Sequence, residues 1–170
     1  NIKNLAGKVI EVSERVDRNG HILSSPDYEK IKGIGTRLVA GGCRVAVVSL
    51  LHASKNPEHE IKVGRILSNA GFKKVVVSSS INNFPKWLPR LESAVVEAYL
   101  SEVLDQYLDS VDDALGEQSA LWVMGSAGGL QKRKGYRAID SLLSGPAAGV
   151  VGAVAVAKSA GSVNFINLDM

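Results

Sequence analysis

The chain has 170 residues, which is enough for one domain or two small ones. Its hydrophobic fraction of 45% and charged fraction of 22% are typical of a globular protein. The net charge of +3, the scattered basic residues and the 5% aromatic content argue against a nucleic-acid partner. Cys43 is the only cysteine, which excludes an internal disulfide and fits a reducing compartment, so we expect a cytoplasmic protein.

The sequence has no stretch that is typical of a membrane span or a signal peptide. Its longest apolar run, residues 146–157, has twelve residues, whereas a spanning helix needs about 20. We therefore expect no membrane partner. The chain starts without Met at Asn1 and stops at Met170, directly after an apolar run with the character of a strand. This pattern suggests an internal segment of a longer protein.

The N-terminal part of the chain predicts a hairpin followed by a helix. Residues 9–16 alternate between apolar and polar side chains, as in a half-exposed strand. The pair Asn19-Gly20 favours a tight turn, after which residues 21–23 can pair back onto the first strand. A helix is then predicted with Pro26 in its first turn and Gly41 at its end.

The next part of the chain predicts two parallel strands joined by a helix. Residues 44–51 form a nearly continuous β-branched run, which is typical of a strand buried on both faces. Asn56 and Pro57 favour a helix start, with Asn56 as the capping residue. Residues 73–78 form the next apolar run. The order helix, strand, helix, strand indicates right-handed parallel crossovers.

The rest of the chain predicts a long helix and a further strand–helix–strand series. The long helix runs from Leu91 to Leu115, after an irregular segment bracketed by two prolines, Pro85 and Pro89. Its acidic face is interpreted as solvated. The remaining predicted elements are a strand over residues 120–124, a helix rich in small residues from Ser144 to Gly161, and a strand over residues 163–168.

Two glycine-containing segments are candidate binding sites. The loop 125–129 follows a strand, at the edge where α/β sheets bind ligands, and its glycines allow backbone donors to approach a ligand. A tight turn explains the same residues equally well. Ser144 and Gly145 open a helix whose free amides suit an anion, whereas the small residues that follow favour close packing. Neither segment matches a P-loop or a dinucleotide fingerprint.

The other polar candidates have weaker support. His52, His59 and Glu60 are not spaced as metal ligands, because His52 precedes the helix, so we expect hydrogen-bonded structural roles for the histidines. Cys43 starts a buried strand and is expected to pack rather than react. No Ser, His and Asp pattern indicates a nucleophilic triad, and the sequence assigns no catalytic residue.

Taken together, the motifs resemble the ATP-dependent hydantoinase A, 5-oxoprolinase and acetone carboxylase family over nearly the whole chain. The most specific segment is residues 142–153, LLSGPAAGVVGA. The other matching segments are Glu14 to Asp17 with Gly20, Val45 to His52, Asn56-Pro57 with His59-Glu60, Val95-Val96 with Ala98 to Leu100, and Met124 with Ser126 and Gly128 to Leu130.

This resemblance implies an α/β fold like that of actin, Hsp70 and sugar-kinase ATPases (ribonuclease H-like), with a mostly parallel sheet and crossover helices. Residues 1–118 would form an α/β subdomain with the hairpin and the long helix. Residues 119–170 would begin a second ATPase-type subdomain, truncated at 170. In the family, one phosphate loop lies far upstream in a much longer subunit, and another begins with the Asp-Met pair at which this chain ends. We therefore expect an internal fragment.

The resemblance also implies ATP and Mg²⁺ as cofactors of the longer parent protein, with none expected in this fragment. The family couples ATP hydrolysis to opening a cyclic amide or to carboxylating a ketone. The cofactor-binding positions carried over are Asp169, Ser144, Gly145, Ser126, Gly128 and Gly129, and Asp169 would also bind the metal. The expected partners are a small cyclic amide or ketone, the remaining parts of the same chain, and a second subunit or a second copy.

Some positions depart from the family pattern and leave two functions open. Gly125 and Ala127 stand where the family commonly has Gln and Asn, and Glu97 replaces an Asn. Before the long helix, residues 87–90 keep only the Arg of a Glu-Tyr-Glu-Arg segment. The first hypothesis is a piece of an ATP-dependent cyclic amide hydrolase or carboxylase that is inactive alone. The alternative is a non-catalytic α/β binding or interaction module derived from that family.

Overall fold

A computed structural model describes residues 7–116 and 119–168 of the chain. The chain divides into two compact units, Asn1–Tyr99 and Leu100–Met170, so the division falls within a long helix. The subdomain boundary near residue 118 stays a prediction. No helix of the described residues is both long and apolar enough to span a bilayer.

The first unit begins with the predicted hairpin. Strand β1 (Arg15–Val16) pairs antiparallel with strand β2 (Ile22–Ser24). The Asp17 carboxylate accepts hydrogen bonds from the amides of Asn19 and His21, both at 2.8 Å, and Gly20 takes the positive φ of +95° that the turn requires. The first strand is shorter than predicted, since only its last two residues pair.

Helix α1 (Tyr28–Ala40) follows the hairpin, and Asp27 caps it by accepting a hydrogen bond from the Lys30 amide at 2.9 Å. Pro26 therefore lies before the cap, whereas the sequence predicted it in the first helical turn. Asp27 is suited to the capping position, because its side-chain oxygen accepts a hydrogen bond from an amide that has no partner within the helix.

The two parallel strands and the helix between them are confirmed. Strand β3 (Val45–Val48) pairs in parallel with strand β4 (Lys74–Val77), and helix α2 (Glu58–Asn69) connects them. The cap was predicted one residue too early, because α2 begins at Glu58 and Pro57 occupies the capping position; the Asn56 side chain still accepts a hydrogen bond from the Glu58 amide at 3.1 Å.

Alternate residues of this strand pair contact opposite layers of helices. Val48 packs with Ile31 of α1 and Val63 of α2. Val76 packs with Ala94 and Ala98, which lie on helix α4 (Trp87–Leu115). The period-two alternation of a strand sends successive side chains to opposite faces. The first unit is therefore a three-layer arrangement with the strand pair in the middle.

A short helix, α3 (Ser78–Ile81), leads from β4 towards α4 and was not predicted. The start of α4 also differs from the prediction, because Pro89 lies inside its first turn and does not bracket an irregular segment. A proline is tolerated there, since the amide that it lacks would have no partner within the helix.

The second unit contains a hairpin and a helix. Strand β5 (Trp122–Met124) pairs antiparallel with strand β6 (Leu130–Lys132), which was not predicted. A single 3-10 turn (Ala138–Ser141) leads to helix α5 (Ser144–Ser159), which confirms the predicted helix. The predicted strand over residues 163–168 is wrong, because this segment has no strand partner within the described chain.

The predicted mostly parallel sheet is also wrong for the part of the chain that is described. Its strands form three two-stranded sheets, of which only β3–β4 is parallel. The reason is local: β2 and β6 each return through a turn too short for a crossover, and such turns produce antiparallel pairs.

The contact between α2 and β4 allows a test of the layered packing. A Cβ added at Gly64 would lie 2.7 Å from Cγ2 of Val77, a stiff β-branched side chain, whereas one added at Gly33 in α1 would meet nothing within 4 Å. We expect Gly64→Ala to lower the free energy of unfolding by about 1–3 kcal/mol. Gly33→Ala should raise it by up to about 1 kcal/mol through helix propensity. Urea unfolding of both variants checks this, and equal effects would contradict the packing.

Candidate functional site

The loop predicted to contact a nucleotide, residues 125–129, is a tight turn that joins β5 to β6. The Gly125 amide donates to the Gly129 carbonyl at 2.8 Å, and the Gly128 amide donates to the Gly125 carbonyl at 2.9 Å. The Ser126 amide donates to the Asp140 carbonyl at 2.8 Å. Two of the loop's amides therefore serve its own structure, and a third is occupied by the 3-10 turn that precedes α5.

This loop lies against the helix that was predicted as the second half of the site. Gly128 has a φ of +79°, and a Cβ added there would lie 3.2 Å from Cγ2 of Val151 on α5. Glycine is favoured at this position both by its backbone conformation and by the close approach of the helix. The side chain of Ser126 and the backbone of Gly129 are exposed.

Tyr136 holds the end of β5. Its hydroxyl donates to the Met124 carbonyl at 3.0 Å. Burial raises the pKa of Tyr136 above its ordinary value of 10.0, the nearby charge of Asp140 adds to this effect, and the side chain of Ser144 opposes it. Ser144 therefore lies near this hydroxyl, while the loop that follows β5 lies against Val151, further along α5.

The start of α5 differs from the prediction in one respect. Ser144 is the first residue of the helix and makes no capping hydrogen bond, because the capping position belongs to Leu143. Leu143 has a φ of +59°, which is strained for a residue with a side chain. Gly145 is exposed in the first turn, where backbone amides have no acceptor within the helix.

The described residues fit a nucleotide only in part. The first-turn amides of α5 suit a phosphate group, since the helix dipole places partial positive charge there. The predicted metal and phosphate ligand, Asp169, lies outside the described residues. Within residues 7–116 and 119–168, no group of three or more His, Cys, Asp or Glu side chains could hold a metal ion.

A buried polar cluster in the first unit was not predicted. We call it the Glu60 cluster; it consists of Glu60, Ser78 and Arg90, all with 0% exposure. Glu60 Oε1 accepts hydrogen bonds from the Leu50 amide and the Ser78 hydroxyl, both at 2.7 Å, and Oε2 accepts from the Ser79 amide at 2.9 Å. The carboxylate therefore binds the chain directly after both parallel strands.

Arg90 completes the Glu60 cluster from α4. Its Nε donates to the Ser78 hydroxyl at 2.9 Å, and its Nη2 lies 3.8 Å from Glu60 Oε1. The guanidinium also donates to the carbonyls of Leu50 and Phe84. Each buried charge is thus compensated by an opposite charge and by hydrogen bonds, as burial requires.

A second buried polar contact involves His59, the residue before Glu60, and Glu14. His59 Nδ1 lies 2.8 Å from Glu14 Oε2, and both side chains are at least nine-tenths buried. The contact fastens the segment before β1 to α2. The hydrogen-bonded structural role predicted for His59 is confirmed.

The sequence analysis did not predict the Glu60 cluster, although it had noted both of the charged residues in it. Glu60 and Arg90 both fall in segments that were compared with the family pattern, but their charges look like those of any helix surface. Their separation by 30 positions gives no periodic relation that would pair them.

The Tyr136 hydroxyl can be removed without changing the ring, which gives a test of its hydrogen bond. We expect Tyr136→Phe to lower the free energy of unfolding at neutral pH by about 0.5–2 kcal/mol, because the Met124 carbonyl loses a donor. A raised phenol pKa stabilises the folded state below pH 10.0, and this contribution is lost as the pH rises through the folded pKa. The variant should therefore lose stability less steeply above pH 10.0.

Urea unfolding of both proteins across the alkaline range measures this difference. Tyr28, whose pKa is also raised by burial, should titrate in both proteins and cancels from the comparison. Identical alkaline slopes for the two proteins would contradict the buried position of the hydroxyl.

The ionic part of the Glu60 cluster gives a second test. Arg90→Met should lower the free energy of unfolding by about 3–5 kcal/mol, because Glu60 is left as a buried, uncompensated charge. Adding Glu60→Gln should cost less in that background than in the wild type, since the two residues are coupled. Denaturant unfolding of the double-mutant cycle checks both expectations.

Arg137→Met is the matched control for this cycle. Arg137 pairs with Asp140 three residues along the chain, and its side chain is 43% exposed. Its loss should cost only about 0–1 kcal/mol, as for exposed ion pairs. Equal costs for the two arginine variants, or strict additivity in the cycle, would contradict the assigned coupling.

Two family models match the chain in succession. The model described as the hydantoinase/oxoprolinase N-terminal region matches residues 2–71, and the model described as hydantoinase/oxoprolinase matches residues 90–170. The chain is 36% identical over 133 residues to the 5-oxoprolinase of Saccharomyces cerevisiae, covering 77% of this chain and 10% of that protein.

Two solved structures are similar to the chain. The ATP-dependent caprolactamase of Pseudomonas jessenii gives a TM-score of 0.81 at 25% identity, covering 94% of this chain and 24% of that one. Nucleotide-free acetone carboxylase, from a study of ATP-dependent acetone carboxylation, gives 0.76 at 28% identity, covering 88% and 22%.

These matches cover both units of the chain, which spans a quarter or less of each of these relatives. The α/β fold that was predicted is confirmed at this level, as similar to parts of these two enzymes. The chain belongs to the hydantoinase/oxoprolinase family.

Proposed function

We propose that the chain is an internal section of an ATP-dependent enzyme that opens a small cyclic amide, and that the 170-residue chain is inactive alone. The observation that carries this proposal is the structural match, over nearly the whole chain, to an enzyme described as an ATP-dependent caprolactamase. The actin-like ATPase fold and the cytoplasmic location expected from the sequence belong to the same proposal.

When bound, ATP would supply a phosphoryl group to the amide oxygen, which would activate the carbonyl carbon to attack by water so that the ring C–N bond breaks and phosphate is released, and Mg²⁺ would compensate the charge of the phosphates. The residues of this chain would hold the phosphate-binding groups in position. Tyr136 holds the end of β5, and the loop that follows it lies against α5 at Val151. The groups that the second unit offers are the exposed Ser126 and the first-turn amides of α5. We propose that these groups contact phosphate oxygens and that Asp169 binds the metal.

The groups that would complete the site are proposed to come from other parts of a longer chain. The described residues offer amides and hydroxyls but no cluster of metal ligands. Stabilising the charge of a phosphoryl transfer needs cations as well as donors. We propose that a second subdomain begins near residue 119 and provides one wall of this site.

One observation favours the alternative, a non-catalytic binding or interaction module derived from this family. A Cβ added at Gly125 would lie 2.8 Å from Nε2 of Gln131, so the Gln131 side chain occupies the space of a larger residue at 125. The loop amides of Gly125, Ser126 and Gly128 also have acceptors within the protein, so the loop is closed to a ligand. A closed loop suits a structural turn better than a phosphate cradle.

Two measurements test the proposal. The 170-residue chain should show no ATP hydrolysis above buffer, and Mg-ADP should stabilise it little against heat, because stabilisation by a ligand requires a formed site. A longer protein containing this chain should hydrolyse ATP in the presence of hydantoin, 5-oxoproline or acetone, compared side by side. Turnover by the short chain would contradict the proposed inactivity, and a longer protein inactive on all three would favour the non-catalytic module.

A further inference from the structure

The part of helix α4 that belongs to the second unit, residues 100–115, presents an uncharged side to solvent. Val103, Tyr107, Ser110 and Ala114 are all exposed, and their alternating spacings of four and three residues place them along one side of the helix. Val103 is 74% exposed and Tyr107 is 63% exposed. We call the surface formed by these four residues the Val103 face.

The acidic side of the same half-helix contacts the rest of the second unit. Arg133, which directly follows β6, lies 2.9 Å from Asp105 and 2.8 Å from Asp109, and Leu108 between them is buried. An amphipathic helix normally buries its apolar side and leaves its charges in water. Here the arrangement is reversed, and the Val103 face stays uncovered within the part of the chain that the structure describes.

The Val103 face is suited to apolar contact. The Ser110 hydroxyl donates to the Tyr107 carbonyl at 2.7 Å, so the helix itself satisfies this polar group. Tyrosine offers a large contact area while losing little side-chain freedom, and it is frequent among the residues that dominate binding energy. A helix also holds these side chains in fixed positions before a partner arrives, which lowers the entropy cost of docking.

The charge at the end of the Val103 face favours a cationic partner. Asp112 and Asp113 are exposed and form no ion pair with any described residue. They lie near the carboxyl end of α4, whose last turn contains no basic residue. The free carbonyl groups at a helix end carry partial negative charge as well. A second copy of this helix would bring like charges together, whereas Lys or Arg side chains would complement them.

We propose that the Val103 face docks a basic amphipathic helix from a second, different subunit. The apolar side chains of that helix pack on Val103 and Tyr107, and its Lys or Arg side chains pair with Asp112 and Asp113. Packing of two amphipathic helices along their apolar sides is a common mode of recognition. This inference assigns an interaction surface and goes beyond the proposed activity, since it involves neither the nucleotide nor the amide.

A synthetic peptide provides a direct probe. It has about 18 residues, or about five helical turns, with Leu along one side and Lys along both edges. It should bind the 170-residue chain saturably in fluorescence anisotropy, and binding should weaken as the salt concentration rises. Peptides with Glu in place of Lys, or Ser in place of Leu, should bind at least about tenfold more weakly. The chain has a net charge of +3, which gives no general attraction for a cationic peptide.

Val103→Asp tests the apolar contact. The side chain is largely exposed, so the melting temperature should equal that of the wild type. Affinity for the Leu and Lys peptide should fall by roughly tenfold or more, because docking would bury the new charge. Val156→Asp makes the same change on α5, where Val156 is 70% exposed, and should bind like the wild type.

Asp112→Asn combined with Asp113→Asn tests the electrostatic contribution. Loss of both carboxylates should weaken binding of the Leu and Lys peptide by roughly two- to tenfold and flatten its salt dependence. The matched control removes two exposed carboxylates from the first unit, Glu11→Gln with Glu29→Gln. It should leave both quantities unchanged.

The docking surface would be overturned by the absence of saturable binding, by unchanged affinity in Val103→Asp, or by equal binding of the Glu and Lys peptides. Sedimentation of the chain alone tests a second copy, because a dimer that Val103→Asp abolishes would assign the face to that copy instead. A longer protein containing this chain should still bind the peptide. Failure there, with binding by the short chain, would show that the same polypeptide covers the face and would overturn the assignment to a separate subunit.

Discussion

The carboxylate of Glu60 is the constraint on which the first unit depends. One side chain accepts hydrogen bonds from the chain after β3 and after β4, and its charge is balanced by Arg90 from α4. Two strands and two helices are thereby fixed at a single buried point. Because a buried charge is costly unless every partner is in place, the cluster favours one arrangement of these elements over slightly shifted ones.

The second unit uses a neutral group for the same purpose. The Tyr136 hydroxyl holds the end of β5 by donating one hydrogen bond to the Met124 carbonyl. A neutral hydrogen bond contributes about 1 kcal/mol, less than bonds to charged groups. Helix α5 also leaves apolar side chains such as Val150 and Val156 exposed. An apolar helix of this kind is usually covered, so the second unit gains more from added contacts than the first.

Local patterns in the sequence predicted the elements whose stabilisation is local or strongly periodic. Helices α1, α2 and α4 follow from apolar spacing, and the strand pair β3–β4 follows from β-branched runs. Strand β6 has three residues, too few to show a period. Residues 163–168 have the composition of a strand, but a strand exists only where a partner strand lies beside it, and composition does not supply that partner.

The candidate site shows the same division between local and distant information. Glycines at 125 and 128 predicted a turn at a strand end, and the structure places that turn against α5. The use of the loop's amides by Gly129, Gly125 and Asp140 could not be predicted, because Asp140 reaches the loop through a fold that the sequence does not display. Glu60 and Arg90 were hidden for the same reason. Charged residues on a helix are mostly solvated, and only tertiary contacts distinguish the buried ones.

Holding the segments of a site in position and supplying the charges for its chemistry therefore depend on different features of this chain. A few hydrogen bonds within one unit suffice to fix a strand end and the loop after it, as Tyr136 and the loop amides do. Stabilising a transferred phosphoryl group requires several charges to converge on one point, and convergence needs elements from several parts of a fold. A section of this size can thus hold its segment of a site in position while contributing little of the charge.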